Sequence, residues 1–114
     1  YRLENGIWTL MGDPISGISP INNFGEQLDL SADGNILAVG DTQASSPPSR
    51  GGGYILLLQW NGNRWLLLGP LIRGDRQLGA NVAISHDGLI VAGSERVDSS
   101  GTTYTTVFSA VVEE

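Results

Sequence analysis

Arg73-Gly74-Asp75, a lone histidine, two Asp-Gly turns and three tryptophans are the residues of this chain that invite a chemical reading. Arg73-Gly74-Asp75 spells the integrin-binding tripeptide. Gly74, however, stands at a position repeated from Gly17, so internal repetition already accounts for its middle residue, and we read the tripeptide as loop. His86 is the only histidine and cysteine is absent, which excludes a histidine cluster or a thiolate site for a metal. It fills the second place of the turn "SHDG", where the matching turn has Ala32. Asp33 and Asp87 resemble paired catalytic acids in number only. Each occupies the same turn of a different repeat, where Asp-Gly serves backbone geometry. "ASSPPSRGGG" (44–53) is rich in glycine but lacks the Lys-Ser/Thr of a phosphate-binding loop, so it too reads as loop.

No nucleophile–base pair, metal cluster or cofactor motif emerges, and the expected catalytic, metal and cofactor residues are none. What remains are candidates for binding. Trp60 and Trp65 end two neighbouring strands and could stack on a sugar, although aromatic packing between sheets explains their placement as well. Asp13, Asp41, Asp75, Glu95, Arg76 and Arg96 lie near the long loops, where they suit a partner or a weakly held cation. They equally suit ordinary solubility. Asp41 and Glu95 recur at matching positions, just past Gly40 and Gly93. The ligand or partner candidates are therefore Asp41, Glu95, Asp75, Arg76, Trp60 and Trp65.

The elements that must carry these residues come in repeats. Trp8, Gly12, Ile15 and Gly17 return as Trp65, Gly69, Ile72 and Gly74. After a short deletion, Gly25, Leu30, Ser31, Asp33 and Gly34 return as Gly79, Ile84, Ser85, Asp87 and Gly88. After one more deletion, Gly40 matches Gly93. A weaker third start sets "GTTYTTVFSA" (101–110) where "GGGYILLLQW" (51–60) stands. Within each unit "QLDLS" and "NVAIS" alternate, with Leu28 and Leu30, or Val82 and Ile84, on one face. "NILAVG" and "LIVAG" are continuous apolar runs, as expected of strands buried on both faces.

Asp-Gly turns and "NGN" join these strands as hairpins. No stretch carries a helical apolar period. One unit is therefore four antiparallel strands over 26–31, 35–40, 54–60 and 64–68. Its short turns lie at one end and its long Gly/Pro/Ser-rich loops at the other, where ligands are expected. Residues 1–23 hold the last strand and loop of a preceding unit, 24–69 a complete unit, and 70–114 a second one lacking its fourth strand.

Forty per cent apolar residues and 114 positions suit one globular β domain. No apolar run approaches the length of a membrane-spanning helix. A net charge of −6, with all six basic residues arginine, disfavours nucleic acid and anionic lipid as partners. The chain shows no signal-peptide pattern and no Asn-x-Ser/Thr sequon, and an acidic chain without lysine or cysteine gives only a slight lean to the extracellular space or an organelle lumen.

Phe24-Gly25, Leu30-Ser31, Asp33-Gly34, Ala38-Val39-Gly40, Trp60-Asn61-Gly62 and Trp65 together resemble the FG-GAP-type β-propeller repeat, in its variant with LSxDG and WNGxxW. The resemblance covers nearly the whole chain. The second unit departs from it with Leu78-Gly79, and with Ala110 in place of a tryptophan. Integrin-like members bind calcium through D-x-D-x-D-G. Neither "SADGN" nor "SHDGL" has those carboxylates, so calcium does not carry over.

The resemblance implies an all-β fold of two four-stranded blades, in a ring left incomplete or closed by oligomerisation, with "GIWTLMG" able to complete the last blade. The missing initiator methionine favours a piece of a longer propeller over a ring of two to four copies. The functional expectation is a non-catalytic structural or protein-interaction module whose partners are other subunits or further blades. The alternative is a carbohydrate-binding, lectin-like propeller made by oligomerising two-blade chains, with glycans as partners.

Overall fold

A computed structural model describes residues 1–17, 23–42, 52–74, 77–96 and 103–109. The chain is all-β, and no helix occurs among those residues. Ten strands form small antiparallel sheets. An Asn5-Gly6 turn, with φ of 51° and 80°, folds β1 (Arg2–Glu4) onto β2 (Ile7–Thr9). Both left-handed residues are what a two-residue hairpin of this twist requires. The main sheet is the expected meander: β3 (Gln27–Leu30), β4 (Ile36–Asp41), β5 (Tyr54–Trp60) and β6 (Trp65–Leu67), each paired with the next. β7 (Ile72–Arg73) extends it by pairing with Tyr54 and Ile55 of β5. The second sheet is β8 (Val82–Ile84), β9 (Ile90–Arg96) and β10 (Thr103–Ser109), again in sequence order.

Two strands escaped the sequence reading. β1 is only three residues long, although Tyr1 and Leu3 alternate with Arg2 and Glu4 ahead of the Asn5-Gly6 turn, and β7 is two residues inside a segment read as loop. The spacing of the repeat also needs one correction. Leu28 pairs with Val39 and Gln27 with Gly40, while Val82 pairs with Gly93. Gly25 N–H donates to the Gly40 carbonyl and Gly79 N–H to the Ser94 carbonyl, both at 3.2 Å. The counterpart of Gly40 is thus Ser94, that of Val39 is Gly93, and Asp41 matches Glu95 with no second deletion. Matching glycine to glycine had shifted the alignment, whereas hydrogen-bond register counts residues.

The core lies between the two sheets. Ala38, Ile55, Leu78 and Val91 are buried there, with Leu57, Ile72, Val82, Ile84 and Phe108 packed around them. Burying the side chains of Ile55, Leu78 and Val91 contributes roughly 1.5–3 kcal/mol each. A close approach of backbones permits it, because a Cβ on Gly40 would overlap the Gly79 carbonyl. Asp29 ties the sheets further by accepting from Ile84 N–H at 2.9 Å, and Ala32 N–H donates to the His86 carbonyl at 3.0 Å.

The alternating apolar residues, which share one face in each unit, are covered in the second unit and not in the first. Val82 and Ile84 are half-buried against the main sheet, but Leu28 and Leu30 remain 58% and 48% exposed. The side chains point the same way in each unit. Among the described residues, only the second unit has a sheet on that side.

Candidate functional site

The Asp-Gly turns are built alike. In the first, the Ser31 hydroxyl donates to Asp33 (2.8 Å) and accepts from Ile36 N–H (3.0 Å), while Asp33 accepts from Asn35 N–H (2.9 Å). In the second, Ser85 donates to Asp87 (2.7 Å) and accepts from Ile90 N–H (3.0 Å), and Asp87 accepts from Leu89 N–H (3.0 Å). Each is a four-residue loop closed by a left-handed glycine, with φ of 73° at Gly34 and 76° at Gly88. The Asn35 N–H, then the Ser31 hydroxyl, holds Asp33 below the usual aspartate range. For Asp87 the Ser85 hydroxyl leads, followed by the Leu89 N–H. These hydrogen bonds favour the ionised carboxylate, a state suited to fixing a turn and unsuited to donating a proton. His86 is exposed beside Asp87.

The binding candidates divide between two places. Asp41 does not sit on a loop tip. It ends β4, opposite Tyr54, and is completely buried, because the Gly79 backbone runs across it at the close approach described above. Its counterpart Glu95 is half-buried opposite Tyr104 on β9 and β10, with its carboxylate over Gly74. A Cβ on Gly74 would overlap that of Leu78, and one on Gly17 would stand 2.7 Å from the Cβ of Phe24. The glycine within the Arg-Gly-Asp tripeptide therefore has a packing reason that recurs in the preceding repeat. Asp75 and Arg76 lie outside the described residues. Among those that are described, no group of three or more acidic or histidine side chains converges to hold a metal.

Trp60 and Trp65 lie at the opposite end of the main sheet, directly across from each other on β5 and β6. Their rings sit 5.4 Å apart at 53°, a tilted arrangement favourable for aromatic pairs. Both are half-buried by the chain that follows β2. Trp65 donates its indole N–H to the Met11 carbonyl at 3.1 Å, and a Cβ on Gly12 would stand 3.0 Å from the Trp60 ring. The pair thus clamps residues 11–12 onto the outer face of the main sheet.

The same place in the second sheet is open. Leu68 and Gly69, counterparts of Met11 and Gly12, border an apolar groove of about 520 Å3 with Leu57, Pro70, Val91 and Phe108. A Cβ on Gly69 would meet nothing within 4 Å. Beside the groove β10 pairs only with β9 among the described residues, which leaves one edge of the sheet for another strand. The sequence reading did not find the groove. Ala110 at the Trp60 position was the signal for it.

Comparison of this chain with protein-family models, with curated proteins and with solved structures finds no match in any of the three.

Proposed function

We propose that this chain is a non-catalytic structural and protein-interaction module built from β-propeller-type repeats, whose sheets stack as blades against further sheets in a larger protein or assembly. One observation carries this reading. Part of each of the two faces that meet in the core recurs, exposed, elsewhere on the chain, although Val39, Tyr54 and Leu58 of the main sheet's outer face are buried. The outer face of the main sheet shows Leu28 and Leu30, which correspond to Val82 and Ile84. The outer face of the second sheet shows Ala83, Ala92 and the 63%-exposed Val107, which correspond to Asp29, Ala38 and Leu57. An exposed apolar face that duplicates an interior one is a docking surface by its composition, and repeat units of this kind need neighbours to bury their faces. The hydrogen-bonding roles of Asp33 and Asp87 support a structural use of the acids.

The test is a pair of variants, Leu30→Asp and Val107→Asp, followed by binding of an environment-sensitive apolar dye and by denaturant unfolding. The folded wild-type chain is expected to bind the dye, and each variant to bind less of it while unfolding at an unchanged denaturant concentration. A folded wild-type chain that leaves the dye free would contradict the reading.

A further inference from the structure

We infer that Asn5 is a site of self-modification, where the side-chain amide is lost as ammonia and the residue becomes aspartate or isoaspartate. The chemistry needs only water. The Gly6 backbone nitrogen gives up its proton and attacks the side-chain carbonyl carbon of Asn5. A nitrogen–carbon bond forms, ammonia departs with the proton, and a five-membered succinimide results. Water then adds to one of the two imide carbonyls. Opening the ring one way gives aspartate, and the other way gives isoaspartate, with the main chain running through the side-chain carbon. Nothing is oxidised or reduced, and the net change replaces NH2 by OH.

A following glycine favours this ring closure, because it has no Cβ to obstruct the approach of its nitrogen. Four residues with a suitable side chain stand before a glycine: Asn5, Asn61, Asp33 and Asp87. The fold separates them. Asp33 and Asp87 accept hydrogen bonds from a serine hydroxyl and a turn N–H, which favour the carboxylate, and a carboxylate resists attack by nitrogen. Asn61 is held in place. Its side-chain oxygen accepts from Asn63 N–H and Arg64 N–H, both at 2.8 Å, and its own N–H donates to the Arg64 carbonyl at 3.1 Å. The Trp60–Trp65 pair closes the strands that flank it. Those bonds must break before the side-chain carbon of Asn61 can meet the Gly62 nitrogen.

Asn5 has none of these restraints. It is exposed, and no hydrogen bond holds its side chain among the described residues. The ladder of β1 and β2 closes through Glu4 and Ile7, so the Gly6 nitrogen lies beyond it. A Cβ on Gly6 would meet nothing within 4 Å, and no packing resists rearrangement of the turn. Opening the turn is also cheap. β1 and β2 form a sheet of their own, three exposed residues in each strand, and a lone two-stranded hairpin is marginal in water. The hairpin of Asn61 belongs instead to the five-stranded sheet. Isoaspartate lengthens the main chain inside a two-residue turn, whose length sets the register. The change therefore removes the pairing of Leu3 with Trp8 and cannot be reversed by refolding.

The experiment incubates the folded full chain in mildly alkaline buffer, with a parallel sample in concentrated urea. Tandem mass spectrometry locates each gain of about one dalton, and released ammonia is assayed alongside. In the folded chain Asn5 is expected to convert, with Asn61 slower by about 10-fold or more, as local opening of a protected hairpin requires. In urea the two should convert at similar rates. Asn5→Asp should abolish the early release of ammonia from the folded chain. Conversion of Asn61 as fast as Asn5 in the folded chain, or an Asn5 that stays intact there, would overturn the inference.

Discussion

The main sheet and the second sheet share their turns, their register and their left-handed glycines, yet they differ at both flanks. The first has a fourth strand, a tryptophan pair and a segment clamped beneath it. In the second, β10 pairs only with β9 among the described residues, and a groove lies in the corresponding place. Conversely, Val82 and Ile84 of the second sheet are covered, while Leu28 and Leu30 of the first are bare. Local sequence builds each meander, whereas its neighbours decide what is buried. Identical positions should therefore respond very differently to the same substitution.

The largest contrast is expected between Ile55 and its counterpart Thr105. Ile55→Ala empties a fully buried site and should cost about 4 kcal/mol of unfolding free energy, within the range for such truncations. Thr105→Ala alters an exposed face and should stay within about 0.5 kcal/mol. Urea titrations of both variants measure the difference, and equal losses would dissolve the distinction between the faces. A second pair sharpens it. Ile84→Asp presses a charge against the core and should destabilise by about 3 kcal/mol. Leu30→Asp, at the equivalent place, should leave the midpoint nearly unmoved.

Trp65→Ala comes next, with a loss of about 2–3 kcal/mol, below that for a fully buried indole because the ring is half exposed. Limited proteolysis of that variant should cut after the released residues 11–12, while Trp8→Ala leaves both stability and cleavage as they were. The smallest effect concerns the turns, where the two sheets should behave alike. Both Asp33 and Asp87 have folded-state values below the ordinary 3.8. Their contribution is therefore complete above that value and is lost as pH falls through the depressed one. Asp33→Asn and Asp87→Asn should flatten the acid limb of a stability–pH profile by similar amounts, and a marked inequality would show that the turns are not equivalent.

The strands of the main sheet were legible because alternation, Asp-Gly turns and the recurrence of Trp8 as Trp65 all point to the same boundaries. The structure moves those boundaries by a residue or less. Burial was harder to read. "QLDLS" and "NVAIS" carry the same pattern, and nothing in either tells which has a sheet beside it. Asp41 illustrates the same limit from the polar side. Its sequence position, just before a loop, suggests an exposed charge, yet the Gly79 backbone, 38 residues later in the chain, closes over it. The candidate groove was legible only in part, through Ala110 at the repeat position of Trp60. Its walls come from Leu57, Leu68, Val91 and Phe108, which the fold gathers from separate strands and loops.

The most direct test of the account is amide hydrogen exchange of the wild-type chain at several protein concentrations, since protection reports which strands are covered and how firmly. The account predicts strong, concentration-independent protection in β4 and β5. In β10 and β3, protection should be weak in dilute solution and rise with concentration as faces and edge become covered. Protection in β10 and β3 that stays the same from dilute to concentrated solution would contradict the claim that these surfaces are made to receive another sheet.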